Sequence, residues 1–348
     1  SPHQPGVVPM MLEDLTADWL AGVLGRDVGE LVVEQVGTGQ IGTCFRLRFG
    51  ADETVLVKLP PPDTSARDMM AGAYRGEVRF YQQVASTVAV RTPACHLAEI
   101  AEDSGDFVIV LEDLAPAEQG DQIAGCTVDQ ARDAVVNLAG LHGPRWCDPT
   151  LLEVDTLSVN DPESIELLLA MWDPTADLFL DGLGDLIPDD DAATIRACGT
   201  VVERWLLARS DRFGLVHGDY RLDNLLFPPD GGPGVVAVDF QTLSLALPAR
   251  DLAYFLGTSL SVDDRRAHEH DLVAAYHQAL TSYGVDGYSL DDCWDDYRLA
   301  MIQGPLVSIF GCAYGTRTER GDRMFAVMIA RSCAAIRDLD TLALAAAQ

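Results

Sequence analysis

The chain has 348 residues, 48% of them hydrophobic and 22% charged, which excludes wholesale disorder and suits two lobes, since single cores rarely grow beyond roughly 250–300 residues. Lysine and arginine total 24 against 54 aspartates and glutamates, a formal net charge of −30. Such a surface repels nucleic-acid phosphates and anionic lipid heads, so neither nucleic acid nor a membrane is expected as a partner.

In chain order, residues 12–24 carry helical apolar spacing, and the period then changes. A β-branched run at 31–36, strict alternation at 44–49 and a third run at 54–59 read as an antiparallel meander. A helix at 66–85 and strands at 94–100 and 107–111 complete a five-stranded sheet with one inserted helix. Beyond residue 113 the chain reads as helical, at 128–141, 162–169, 191–208, 263–283, 290–309 and 320–344. A patch of short strands at 215–227 and 235–240 interrupts the helices. The fold class is therefore α+β, a β-rich lobe at 1–112 followed by a larger helical lobe at 113–348. No apolar run reaches the ~18–20 residues of a membrane helix and no leader pattern opens the chain, so a cytoplasmic setting is expected. Eight scattered cysteines without a Cys-x-x-Cys pair read as reduced, packed thiols.

Gly37, Gly39 and Gly42 form a Gly-x-Gly-x-x-Gly pattern. A dinucleotide-binding fold would place it before a helix, but here a strand follows. The pattern therefore reads as a hairpin loop able to lie over ATP phosphates, with a plain glycine-rich turn as the alternative. Lys58, the only lysine in the chain, ends an otherwise apolar strand. An ammonium there needs a negative partner, which phosphate oxygens supply; Glu77 on the next helix is placed to hold it.

The segment 215–227 contains His217-Gly218-Asp219 and, five residues after the aspartate, Asn224; Asp239 closes the apolar run 235–238. Phosphoryl transfer needs these residue types. A carboxylate at Asp219 would orient a hydroxyl and accept its proton, while Asn224 and Asp239 would offer oxygens to Mg²⁺ bridging ATP phosphates. A hydrolytic metal site on His217 and Asp219 is the weaker reading, because no second His-x-Asp or His-x-x-His occurs. His217 is expected to brace its loop by hydrogen bonding.

On these motifs the chain resembles the aminoglycoside phosphotransferase and choline kinase superfamily over about residues 31–330. The resemblance implies a bilobal protein kinase-like fold, with Asp219 as catalytic base and Asn224 and Asp239 as metal ligands. It matches Lys58 and Glu77 to the nucleotide-positioning pair and places the adenine hinge at Glu112 to Leu114. Asp239-Phe-Gln and Pro248-Ala-Arg-Asp-Leu-Ala-Tyr-Phe-Leu are similar to the ecdysteroid kinase-like branch, which implies a bulky, fairly apolar hydroxyl substrate. Asp251 is expected to brace the catalytic loop. An aminoglycoside-type antibiotic phosphotransferase, which the acidic balance would suit, and a catalytically silent nucleotide-binding regulator are the alternatives. Trp146, Trp172, Trp294, Tyr297, Phe310, Tyr314 and Arg317 are candidates by type for the acceptor site, each more readily explained as core.

Overall fold

The computed structural model describes residues 11–37 and 43–348, and these fall into two compact units. The first comprises the described residues up to Ser86, with Thr92–Pro116 and Val238–Thr242. It opens with helix α1 (Ala17–Leu24), whose start is capped by the Thr16 hydroxyl accepting from the Trp19 amide. Strands β1 (Leu31–Val36), β2 (Thr43–Phe49) and β3 (Glu53–Leu59) precede helix α2 (Thr64–Arg79), and β4 (Cys95–Ile100) and β5 (Phe107–Glu112) follow it. The antiparallel sheet has the order β1-β2-β3-β5-β4.

Alternation decides which side chains each face buries. Val55, Val57 and Leu59 of β3 join Phe45, Leu47, Val108 and Val110 in a core closed by Leu20 of α1. Ile109 and Leu111 of β5 face the other way and pack against Tyr74 and Val78 of α2. Lys58 lies opposite Ile109 in the β3–β5 register and so belongs to the α2 face. The predicted helix at 66–85 ends earlier as α-helix, at Arg79, and runs into a π turn at Phe80–Val84.

The second unit comprises Thr87–Arg91, Ala117–Ala237 and Leu243–Gln348. Its elements are β6 (Glu118–Gln119), α3 (Val128–His142), α4 (Pro162–Leu183), α5 (Asp189–Leu207), β7 (Gly214–Val216), β8 (Leu225–Phe227), β9 (Val236–Ala237) and β10 (Ser244–Ala246). There follow α6 (Ala249–Ser259), α7 (Val262–Ser282), α8 (Leu290–Leu299), α9 (Gln303–Tyr314), α10 (Glu319–Asp338) and α11 (Thr341–Ala346). β7 pairs with β10, and β8 lies between β6 and β9.

Three helix expectations are corrected. α4 runs far past residue 169 and carries Pro174 inside it; Trp172, Ala176, Phe179 and Leu183 are buried at helical spacing and offset the lost amide hydrogen bond. The helix expected at 290–309 is two, separated by a 3₁₀ turn at Ala300–Ile302. Asp340, in left-handed backbone at φ 56°, divides the one expected at 320–344 into α10 and α11. α6 was not expected at all. Every residue in it except Arg250 is buried, so its polar residues Asp251, Tyr254 and Thr258 lie inside with the apolar ones and no solvent-facing stripe marks the helix. No described helix is long and apolar enough to cross a membrane.

Candidate active site

In the first unit, Lys58 sits between two carboxylates. Its Nζ donates to Glu77 Oε1 at 2.9 Å and to Asp239 Oδ1 at 2.6 Å. Burial alone would lower the lysine pKa; the charges of Asp239 and Glu77 more than offset this and hold it well above the ordinary value. The second oxygen of Glu77 accepts the Phe240 amide at 2.8 Å. Phe240 stacks on Phe80, with ring centroids 3.8 Å apart and planes 6° apart. The π turn supplies that ring, so one residue after Asp239 the chain is anchored by both a hydrogen bond and a stack.

Asp239 does not end a strand as expected. β9 stops at Ala237, and Asp239 adopts left-handed backbone, φ 62°. This conformation disfavours most side chains, though aspartate tolerates it better than most. The Lys58 ion pair and the Phe240 anchor hold the segment in that shape.

Of the three glycines, Gly37 is described and has the positive φ (73°) that favours glycine; Gly39 and Gly42 lie outside the described residues. Glu112 ends β5, donates its amide to the Ala94 carbonyl at 2.8 Å and accepts the Ala94 amide on Oε1 at 3.0 Å. The Glu112 amide is thus committed to Ala94, and Leu114 two residues on is half-buried.

In the second unit, Asp219 and Asn224 are brought together by a tight turn. The Arg221 amide donates to the Asp219 carbonyl, and the Asn224 amide donates to the Arg221 carbonyl, both at 2.9 Å. The Asn224 side-chain amide donates to the Asp219 carbonyl at 2.9 Å and to its Oδ2 at 3.2 Å. With its NH₂ group so engaged, Asn224 turns its amide oxygen the other way. His217 is fully buried and its Nδ1 accepts the Asp219 amide at 3.1 Å, the expected brace. That bond also commits the nitrogen a metal at His217 Nδ1 would need.

Asp251 supports this loop from below. Its Oδ2 accepts from the His217 amide at 2.7 Å and from His142 Nε2 at 2.9 Å, and its Oδ1 accepts the Gly218 amide at 3.0 Å. His142 Nδ1 hydrogen-bonds the Tyr276 hydroxyl, 2.7 Å away.

Sequence reasoning missed two neighbours of Asp219. The Tyr254 hydroxyl donates to Asp219 Oδ1 at 2.5 Å. Burial, and then the Asp219 charge, push the phenol pKa well above its ordinary value, so Tyr254 remains a donor. Arg221 Nε lies 3.4 Å from the same oxygen, an ion pair without hydrogen-bond geometry. Arg221 was in view inside the motif; Tyr254, in an apolar helix, reads as ordinary core. Tyr254→Phe is expected to slow turnover several-fold, less than any change to Asp219 itself, with nucleotide KM unchanged, as steady-state kinetics will show.

Of the acceptor-site candidates, Trp172 and Tyr297 are core, 1% and 0% exposed. Trp146 tilts against Tyr288, Trp294 stacks on His270, and Phe310 lies between Trp172 and Tyr314. Arg317 is tied to Asp322. Trp172, Phe310 and Tyr314 thus form one aromatic row, and Trp294 and Tyr297 a second pair.

Taken singly, the oxygens of Asp239 and Asn224 are of the type a hard, hydrated cation takes. Among the described residues no group of three or more His, Cys, Asp or Glu side chains is arranged to hold a metal. Mg²⁺ does not require one, since it keeps several waters and binds through one or two protein oxygens plus phosphates. Carboxylate and amide oxygens at Asp239 and Asn224 are of the right type.

Residues 32–288 match the model of the phosphotransferase enzyme family, and the chain belongs to that family. Its fold is the α+β, kinase-like phosphotransferase fold. It is 24% identical over 280 residues to acyl-CoA dehydrogenase family member 11 of Gallus gallus, a match covering 72% of this chain and 32% of that protein. The chain thus spans about a third of that relative's length. It resembles the ethanolamine kinase of Plasmodium vivax with a TM-score of 0.53 at 13% identity, over 92% of this chain and 84% of that one. The GDP complex of wild-type aminoglycoside 2'-phosphotransferase-IIIa gives a TM-score of 0.52 at 16% identity, over 87% and 92% of the two chains.

Proposed function

We propose that this chain transfers the γ-phosphate of ATP, with Mg²⁺, to a hydroxyl of a small, bulky and largely apolar molecule. The observation that carries the reading is the sole lysine of the chain, held between Glu77 and Asp239. A cation fixed so firmly on an otherwise apolar strand is suited to meet phosphate oxygens. The glycines at 37, 39 and 42 would cover those phosphates, and the stretch from Glu112 to Leu114 would receive the base. Family membership and the GDP-bound neighbour support a nucleotide donor; the choice of ATP is ours.

In this reading Asp219 accepts the proton of the acceptor hydroxyl as its oxygen forms the new bond to γ-phosphorus. The bond from that phosphorus to the β–γ bridging oxygen breaks, and ADP leaves. Tyr254 and Arg221 hold Asp219 in place, and Asn224 and Asp239 are the proposed magnesium ligands. The cation, when bound, neutralises phosphate charge. An apolar acceptor follows from the resemblance of the Asp239-Phe-Gln and 248–256 segments to the ecdysteroid kinase-like branch. The net charge of −30 favours a second reading, a cationic aminoglycoside-type acceptor.

Because Lys58 is the only lysine, its modification can be followed without competing ε-amines. Mg·ATP is expected to protect Lys58 from an amine-acylating reagent, read by peptide mass spectrometry. Equal labelling with and without nucleotide contradicts the phosphate role. Protection without turnover across a broad alcohol panel supports a silent regulator instead.

A further inference from the structure

The second unit contains a recess that the phosphotransferase chemistry does not use. The start of α4, the end of α5 and strand β10 enclose a cavity of about 230 Å³. Ile165, Leu168, Leu206, Phe213 and Leu245 give it an apolar lining, and Arg250 is its one basic side chain. Its volume is below the ~300–1,000 Å³ of pockets for drug-sized ligands, so an occupant is small. None of His217, Asp219, Asn224 or Tyr254 lines it.

Arg250 is unusual among the arginines. It is the one residue of α6 that is only half-buried, and it reaches the cavity. A guanidinium has five N–H donors. Here Nη2 donates to the Leu206 carbonyl at 3.1 Å, and the group lies over the Trp205 ring, 4.4 Å from its centroid. No carboxylate pairs with it among the described residues. The nearest charge is Asp251, whose oxygens are already committed to His217, Gly218 and His142. Burial lowers the Arg250 pKa to about 10, with only a partial counter-effect from Asp251. Arg209 and Arg212, paired with Asp296, are raised despite burial. A partly desolvated cation without a counterion, beside an apolar hollow, is costly.

We propose that this cavity binds a small carboxylate with a compact apolar body, its carboxylate paired with Arg250 and its body against Ile165, Leu168 and Phe213. One planar guanidinium matches a carboxylate with two parallel hydrogen bonds. Asp161 on the rim, its carboxylate held by the Ser164 hydroxyl at 2.7 Å, weighs against a doubly charged phosphate. The site stands independently of the phosphoryl-transfer reading, and its test measures binding alone.

Hexanoate titrated into the full chain, followed by calorimetry and thermal unfolding, is expected to bind saturably and raise Tm. Arg250→Met keeps the stem on Trp205 but removes the charge, and should weaken hexanoate about ten-fold or more. Leu168→Trp fills the hollow while leaving the guanidinium, and should abolish binding. Hexan-1-ol and inorganic phosphate, which supply only the body or only the charge, should bind far more weakly. Absent saturable binding, phosphate binding as tight as hexanoate, or hexanoate affinity unchanged in the variants overturns the proposal. Should Arg250→Met fail to fold, Leu168→Trp and Arg250→Lys decide; unchanged affinity in both is again the overturning result.

Discussion

Asp219→Asn is expected to lower phosphoryl transfer by ~10²-fold or more while nucleotide affinity stays within about two-fold of the parent, since the change removes only proton acceptance. Both carboxylate oxygens already have protein partners, and Oδ2 keeps a lone pair for the hydroxyl. Oδ1 receives the Tyr254 hydroxyl and faces Arg221, and Oδ2 receives the Asn224 amide. Asparagine can keep its oxygen toward Tyr254 and Arg221, but its NH₂ then faces the NH₂ of Asn224. Asn224 cannot flip to relieve this without losing its bond to the Asp219 carbonyl. The variant should therefore fold and bind nucleotide with a slightly disturbed turn. Steady-state turnover beside nucleotide calorimetry separates the two effects. Unchanged turnover would remove Asp219 from the chemistry, and lost nucleotide affinity would show that it acts in binding.

Asp251→Ala should cost about 3–5 kcal/mol of stability, read from urea unfolding with unchanged m-value. The carboxylate is fully buried and accepts from two backbone amides and one imidazole. Truncation orphans all three donors in the interior, and each unsatisfied donor costs about 1–3 kcal/mol. Asp251→Asn should cost less, because one oxygen survives. A loss under about 1 kcal/mol for the alanine variant would mean that water replaces the carboxylate and that the loop does not depend on it.

Where side-chain rhythm matches burial, the chain is readable from its residues alone. The strand at 44–49 follows from two-residue alternation and the others from β-branched and apolar runs, and the alternate facing of β3 puts Lys58 on the face where Glu77 waits. The Asp219–Asn224 pair was visible through residue type and spacing, an Asp-x4-Asn pattern after His217-Gly218 with Asp239 following. What escaped had tertiary causes. The left-handed backbone of Asp239 answers to Lys58 and Phe240, which are remote from each other in sequence. α6 is buried almost all round, polar residues included, so no exposed face sets it apart. Tyr254 is chemically indistinguishable from a core tyrosine until Asp219 is placed beside it.

α6 carries both Asp251 and Tyr254, one helical turn apart, and each grips the loop that bears Asp219. The Asp219 carboxylate is thus indexed to a helix as well as to the loop it belongs to. If Asp219 is the proposed base, residues that select an acceptor can change elsewhere in the unit without disturbing it. A lineage built on this arrangement can change what it phosphorylates by altering its outer walls while inheriting its chemistry unaltered.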